Sequence, residues 1–390
     1  RDLGPAGAAR DLLTWTTAPT PDNPFDPSDA ASGGASVKLA QARWLHELLY
    51  SPHPLREKLT LTWSGHFVVG SDKVRHGLGL TAYLDLLRAH GLSSFERLAW
   101  EVARAPAMLR YLDNADNKRG KPNENFSREL LELFTTGIGH YTEADVREGA
   151  RALTGLTFRG RLGQANLTEL PEPVFNRGAH DDGVKSYLGR TGAFLPQDVV
   201  RLAATHEATP LFVGRRLWRT FVNDTPDEAG VREVADVWRV EGGDLRAVMT
   251  ALLTSEAFYA PANRLAVHRS PVEFVVGALR SLGAPRLTGE KAYLNLIGSM
   301  ARMGQDLLHP PTVEGWKGGR EWLSDAALLT RLQVAAQLTL SKTARVDLEG
   351  ADLALALLGR ADHPVTAAFR GLTPARQAYL MLASPEFALA

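Results

Sequence analysis

The chain contains no cysteine among its 390 residues. That absence excludes disulfides, thiol nucleophiles, cysteine zinc sites, iron–sulfur clusters held by thiolates and c-type haem attachment. Any metal would have to be held by histidine and carboxylates. An excess of charge of either sign is missing as well: Lys plus Arg equals Asp plus Glu at 44 each. No global field therefore draws the chain to nucleic acid or to an anionic membrane, and neither is expected as a partner. No uninterrupted apolar run approaches the roughly 18 to 20 residues that cross a bilayer, so no transmembrane segment is expected. The first residue is Arg1 rather than Met, which is read as a leader, such as a signal peptide, having been removed. H-E-x-x-H, G-x-S-x-G and P-loop signatures are absent. "GLGLTA" at 77–82 nominally fits a dinucleotide fingerprint but follows no expected strand, so no nucleotide motif is assigned.

What is present is helical periodicity. Apolar residues recur at three- and four-residue spacing in "SVKLAQARWLHELLY", "HPLREKLTLTWSGHFVV", "SSFERLAWEVARAPAMLRYL", "PQDVVRLAATHEATPLFVGRRLWRTFV" and most of the chain beyond, through "LEGADLALALL" and "TPARQAYLMLASPEFAL". Ser94, Thr142, Asp244, Ser270 and Thr373 stand where helix caps are expected, and Pro54, Pro196 and Pro271 suit first-turn positions. Residues 156–195 break the pattern with Gly, Pro, Asn and short alternating runs, "LTFRG" and "PVFNRG", which predict a small β-hairpin within an irregular insertion. A second irregular stretch at 304–323, "GQDLLHPPTVEGWKGGREWL", holds Trp316 and Trp322. Residues 1–35 read as an N-terminal helix and a Pro/Gly/Ser-rich connector draped over the surface, and 36–390 as one helical domain. The expected fold is mainly α, a single large multi-helical domain with the insertion near 156–195.

One segment concentrates polar chemistry: "KPNENFSRELLELFTTGIGHYTEADVREGARALTGL", residues 121–156. Asn123 can cap its helix, and Glu124 falls in the first turn where the helix dipole favours negative charge. With Glu124 at zero and about 100° per residue, Arg128 lies near 40°, Glu132 near 80° and Glu129 near 140°. Phe126, Leu130, Leu131, Leu133 and Phe134 fill roughly the 180° to 340° arc, so Glu129 borders the buried face. Two readings stand side by side. Glu124, Arg128 and Glu132 form either a solvated i,i+4 salt-bridge row or a carboxylate cluster held by one arginine, with Glu129 dry enough for general acid or base work. Gly137 and Gly139 end the helix, and Thr142 with Asp145 starts the next, giving a helical hairpin.

Outside it, His66 in "TWSGHFVVG" is either a hydrogen-bonded core residue or an assisting group. "HDDGVKSYLG" brings His180, Asp181, Asp182 and Lys185 within six positions, as a converging ligand loop or as a turn satisfied by its own lysine. His206 is read as capping the packing between two helices. Trp316 and Trp322 are candidates to stack on pyranose rings or, equally, anchors for their loop.

"NENFSRELLELFTTGIGHYTEADVREGARALTGL" closely resembles the hallmark segment of the domain-of-unknown-function 1800 family, DUF1800: N-E-N-[FY]-A-R-E-L-[LM]-E-L-[FH]-T-L-G, then Y-T-E-x-D-V and A-R-A-x-T-G-[WL]. The resemblance extends to "HPLREKLTLTWSGHFVV", "HDDGVKSYLG", "RSPVEFVVGALRSLG" and "MGQDLLHPPTVEGWKGGREWL", about residues 40 to 340 in all. Phe134 stands where relatives often have His, which counts against a mechanism needing histidine on that turn. Leu156 replaces the usual Trp. The resemblance implies an exported bacterial protein of the periplasm, envelope or exterior, commonly encoded beside a sulfatase-like or alkaline-phosphatase-like protein, which is a candidate partner. It carries no activity with it. It raises the functional reading of Arg128, Glu129, Glu132, His66, His180 and Asp181.

The resulting expectation is a hydrolase of a sugar polymer or other envelope substrate. In it Glu129 or Glu132 is the acid/base, Arg128 the orienting cation, and His180 with Asp181 or His66 assists. Asn123, Glu124, Lys185, Trp316 and Trp322 would bind substrate. A divalent metal held by His and carboxylates is a variant. The rival is a non-catalytic protein that holds a surface glycan or a partner in the same groove.

Overall fold

The computed structural model describes residues 3–15, 20, 22–162, 168–341 and 352–390. The parts of "LEGADLALALL" at 348–351 and of the insertion at 163–167 lie outside them. The described chain is mainly α-helical with two small two-stranded antiparallel sheets. At its centre runs helix Gly33–Tyr50, packed against Gly77–His90 and Glu290–Arg302. Trp44, Leu45, Leu48 and Leu49 on that helix are buried. They belong to one continuous apolar core that runs from Ala9 to Phe387. No helix among the described residues is long and apolar enough to cross a membrane.

The caps form where the sequence placed them. Ser94, Thr142, Asp244 and Ser270 each accept a backbone N–H of the following turn, and Thr142 and Ser270 complete capping boxes. Thr373 occupies its N-cap position without a side-chain bond. The helix read across 94–112 is two, Phe95–Arg104 and Pro106–Tyr111, because Pro106 restarts the chain after extended Ala105. His206 sits between helices Pro196–Ala204 and Thr209–Phe221, its Nδ1 accepting from the Ala208 N–H at 3.2 Å.

The N-terminal stretch is not draped over the surface. Helix Gly4–Leu13 packs on Leu245–Thr254 and buries Ala9 and Leu13. The connector buries Phe25, and the Thr20 hydroxyl donates to Glu47. The reason is polar: Glu47 is buried beside Arg56 at 3.8 Å and takes further bonds from Asn23. Next to it Glu57 binds both Arg56 and Arg88, and Arg280 donates to the carbonyl of Leu49. Buried charges persist only when paired in this way, so "HPLREK" and its partners lock four segments together.

The insertion holds two hairpins rather than one. Strand β1 (Leu156–Arg159) pairs antiparallel with β2 (Glu172–Phe175), with Leu156 opposite Phe175. Strand β3 (Lys185–Tyr187) pairs with β4 (Arg190–Gly192) and lies against helix Glu143–Ala152.

Candidate active site

The 121–156 hairpin departs from ideal helix geometry at its most polar point. An α-helix covers only Asn125–Glu129, and Leu130–Phe134 continue as one π turn. The Thr136 N–H reaches back five residues to the Leu131 carbonyl at 3.0 Å. The hydroxyls of buried Thr135 and Thr136 donate to the carbonyls of Leu130 and Leu131 at 2.6 and 2.9 Å, adding to the N–H bonds from Thr136 and Gly137 that the Leu131 carbonyl already accepts. The N-cap position falls on Glu124, without a side-chain cap bond, rather than on Asn123, whose side-chain oxygen accepts from the Asn125 N–H at 3.0 Å. The Asn123 N–H donates to Asn117, so Asn123 closes a buried asparagine network rather than facing a substrate.

The wider turn breaks the expected ladder. Arg128 forks onto Glu143 at 2.7 and 2.8 Å and reaches Glu124 at 3.3 Å, with no bond to Glu132. Glu132 instead accepts from the Tyr141 hydroxyl at 2.9 Å. Arg128 is thus paired with Glu124 on its own arm and with Glu143 across the hairpin. Glu129, half-buried at the junction of α and π geometry, makes no hydrogen bond or ion pair with a described residue. Its carboxyl is pushed up to about 7, first by burial, then by the charge of Glu132; Arg128 opposes this and Glu314 adds to it. The Tyr111 hydroxyl is raised to about 12 by burial, Asp72 and Glu129.

Glu314 arrives on the irregular 304–323 stretch. Gly315 has φ +80, and a Cβ there would stand 2.9 Å from the Gly65 carbonyl oxygen. Only glycine lets this loop press on the end of helix Pro54–His66, between Glu314 and Trp316 in the chain. Trp322 is buried and Trp316 half-buried. Both line a cavity of about 610 Å³, together with Arg215, Arg216, Arg219 and Lys317.

His66 belongs to the core. Its ring is buried among Trp63, Phe67, Phe95, Phe134 and Phe212, with centroids 4.6 to 6.3 Å away. Nε2 bonds the Phe134 carbonyl at 2.9 Å, and Nδ1 has no partner. Burial, assisted by the charge of Arg216, lowers its pKa to about 3. A neutral, enclosed imidazole bonded to the π turn is the arrangement of the core reading of His66.

The 178–189 loop turns much of its polar chemistry inward in the same way. His180 is buried, its Nδ1–H donating to the Thr154 carbonyl at 2.9 Å and its ring edge-on to Phe175. Asp181 takes a two-pronged bond from Arg151 at 2.8 and 3.2 Å and accepts from the Gly183 N–H. Chiefly through Arg151, its carboxyl falls to about 2. Lys185 is buried, its ammonium donating to the carbonyls of Asp181 and Gly183. Asp182 alone of these charged groups is exposed, facing Arg119 at 3.8 Å, and no bond or ion pair among the described residues joins the loop to Glu129. Nor does any group of three or more His, Asp or Glu among the described residues have the arrangement to hold a metal ion; the metal-assisted variant finds no ligand set there.

The structure therefore gathers Glu129, Glu132 and Glu314 with Tyr111 and Tyr141, and separates them from His180, Asp181, Lys185 and Asn123. Tyr111, Tyr141 and Glu314 were missed in the sequence, since nothing in local spacing brings residues 111, 141 and 314 onto Glu129. "GRRLWRTF" did carry a readable signal: arginines at 215, 216 and 219 repeat one charge at helical neighbour spacing, where a stabilising row would alternate signs.

No curated relative and no solved structure matches the chain. The family model described as "Protein of unknown function (DUF1800)" matches residues 9–389, nearly the whole length, and the chain belongs to that family.

Proposed function

We infer that the protein is a hydrolase acting on a sugar polymer or another cell-envelope substrate, with Glu129 as its general acid/base. One observation carries the reading: Glu129 is half-buried, free of hydrogen bonds to described residues, and has its carboxyl raised to about 7 by burial and by Glu132. A group with pKa near neutrality can give and take a proton at working pH, and a neighbouring carboxylate in a different setting is the usual complement. Glu132, held by Tyr141, is that complement: its position is fixed while Glu129 stays free to reach a leaving-group oxygen. Arg128, committed to Glu143 and Glu124, fixes the hairpin's second arm. The setting we infer from the family resemblance is the exported compartment, with the sulfatase-like or phosphatase-like neighbour as the partner to test.

The test is release of reducing ends or other hydrolysis products from a panel of envelope polysaccharides. Glu129→Gln is expected to lower kcat by about 10²- to 10⁴-fold while the protein stays folded, and the wild-type rate should fall on the alkaline side of pH 7. Equal rates in both proteins on a substrate the wild type cleaves would end the assignment. The rival, a non-catalytic holder of a surface glycan or partner protein, is favoured by the inward satisfaction of the His180 loop, which leaves no histidine beside Glu129. It predicts binding with no turnover by either protein.

A further inference from the structure

The cavity behind Trp316 is built differently from the acidic ledge. Its charged lining consists of four cations, Arg215, Arg216, Arg219 and Lys317, and two carboxylates, Asp224 and Glu273. Both carboxylates are committed elsewhere. Asp224 accepts from the ring Nδ1 and the backbone N–H of His268. Glu273 is held by Lys58 at 2.9 Å and by the capping box of Ser270. Of the cations, only Arg215 has a carboxylate partner, Glu228 at 2.7 Å. Arg216 donates to the Gly65 carbonyl, which fixes its guanidinium without neutralising it. Arg219 and Lys317 make no ion pair with a described residue. Uncompensated cations concentrated in one concave space are costly for a folded chain unless an anion joins them.

The remaining wall is aromatic. Trp316, Trp322 and Phe212 line the same cavity, and Trp322 and Trp316 also line the adjoining space with Lys58, Thr220 and Gln305. Gly318 and Gly319, both at positive φ, keep the backbone of this rim free of side chains. A planar indole next to forked guanidinium groups suits a ligand with an apolar ring face and an oxyanion on its edge. A cavity of about 610 Å³ has room for one or two sugar rings.

We propose that this cleft binds an oxyanion-bearing saccharide, its sulfate, phosphate or carboxylate held by Arg216, Arg219 and Lys317 and its ring laid against Trp316. Neither Glu129 nor Glu132 lines this cleft, so the proposal is independent of catalysis there. Arg216 bonds the carbonyl that ends the His66 helix, and that helix supports the π turn. An anion drawn to Arg216 would thus sit one shared backbone contact from the Glu129 ledge.

The test is isothermal titration calorimetry of the full chain with a heparin-derived tetrasaccharide, an oligogalacturonate of equal length, a neutral cello-oligosaccharide and inorganic sulfate. Binding of either anionic oligosaccharide, weakening as salt rises, with the neutral sugar at least tenfold poorer, is the expected result. The Arg219→Gln/Lys317→Gln double variant, whose side chains make no fold-supporting ion pair, should lose at least tenfold for the anionic oligosaccharide. Trp316→Ala should lose the preference for oligosaccharide over sulfate. Circular dichroism and thermal melting identify variants that fold, and Arg219→Glu serves as the second charge variant if the double one does not. Glu129→Gln is expected to bind as wild type, so loss of turnover and loss of binding are read separately. Absence of binding by both anionic oligosaccharides, undiminished binding in the charge variants, or equal binding of sulfate and saccharide would each overturn the proposal.

Discussion

Two stretches of the chain concentrate carboxylates beside a basic group. The 178–189 loop has a histidine, two aspartates and a lysine; the 123–134 segment has an arginine and three glutamates. In the loop, His180, Asp181 and Lys185 spend their hydrogen-bonding capacity on Thr154, Arg151 and the loop's own carbonyls. On the ledge, Glu129 is left with none, in a place dry enough to hold a proton near pH 7. The difference teaches that polar density does not mark a site. What matters is whether the fold has already satisfied the groups, because a satisfied buried network stabilises structure while an unsatisfied, perturbed group stores the capacity for chemistry.

That contrast can be broken most directly at His180. His180→Ala is expected to cost about 3 kcal/mol of stability through the lost Phe175 contact and the orphaned Thr154 carbonyl, read as a large drop in melting temperature. The rate per folded molecule should stay unchanged. A stable variant without activity would move the site to the loop.

A smaller effect is expected at His66. Its folded pKa, about 3, lies below the ordinary value of 6.5, so on acidification the unfolded chain takes up a proton that the native chain refuses. Stability is therefore intact above pH 6.5 and is lost as pH falls from 6.5 toward 3. His66→Phe should cost about 1 kcal/mol at pH 8 for the missing bond to Phe134. It should also flatten the acid side of the stability profile, by about 2 kcal/mol relative to wild type by the time pH has fallen to about 5. Denaturant titrations at pH 8, 6 and 4 measure both, and parallel profiles would contradict a buried neutral imidazole.

The smallest effect lies on the ledge itself. Glu129's folded pKa is raised from 4.5 to about 7, so the native state holds a proton that the unfolded state has released. Stability therefore decreases as pH rises from about 4.5 to 7 and stays reduced above it. Glu129→Gln removes that penalty. It should be more stable than wild type at pH 8 by about 1 kcal/mol after solvent screening, and equal to it near pH 4. Calorimetric melting at the two pH values checks the sign. A destabilised variant at pH 8 would make Glu129 another satisfied structural residue, like those of the loop.

Much of the fold was legible. The caps at Ser94, Thr142, Asp244 and Ser270, the amphipathic periods and the interruption at 156–195 are consequences of local geometry, and local geometry is what neighbouring residues control. The connector was misread because Phe25 and Thr20 find their partners on helix Gly33–Tyr50, and composition alone cannot report a buried glutamate waiting there. Of the candidate site, Glu129's place at the edge of the buried face was readable from a 3.6-residue period. The π turn that detaches Glu132 from Arg128 was not, since it depends on Thr135, Thr136 and His66 acting on backbone carbonyls.

The sequence by itself determined the helices, their ends, the family and the residue types available for chemistry, because each follows from contacts within a few positions of the chain. Only the tertiary structure decided which polar groups are satisfied and which stand free. Bonds such as His66 to Phe134, Asp181 to Arg151 and the approach of Glu314 to Glu129 join residues 30 to 185 positions apart. Desolvation and charge proximity, which set a proton affinity, are properties of that assembled space rather than of any local stretch.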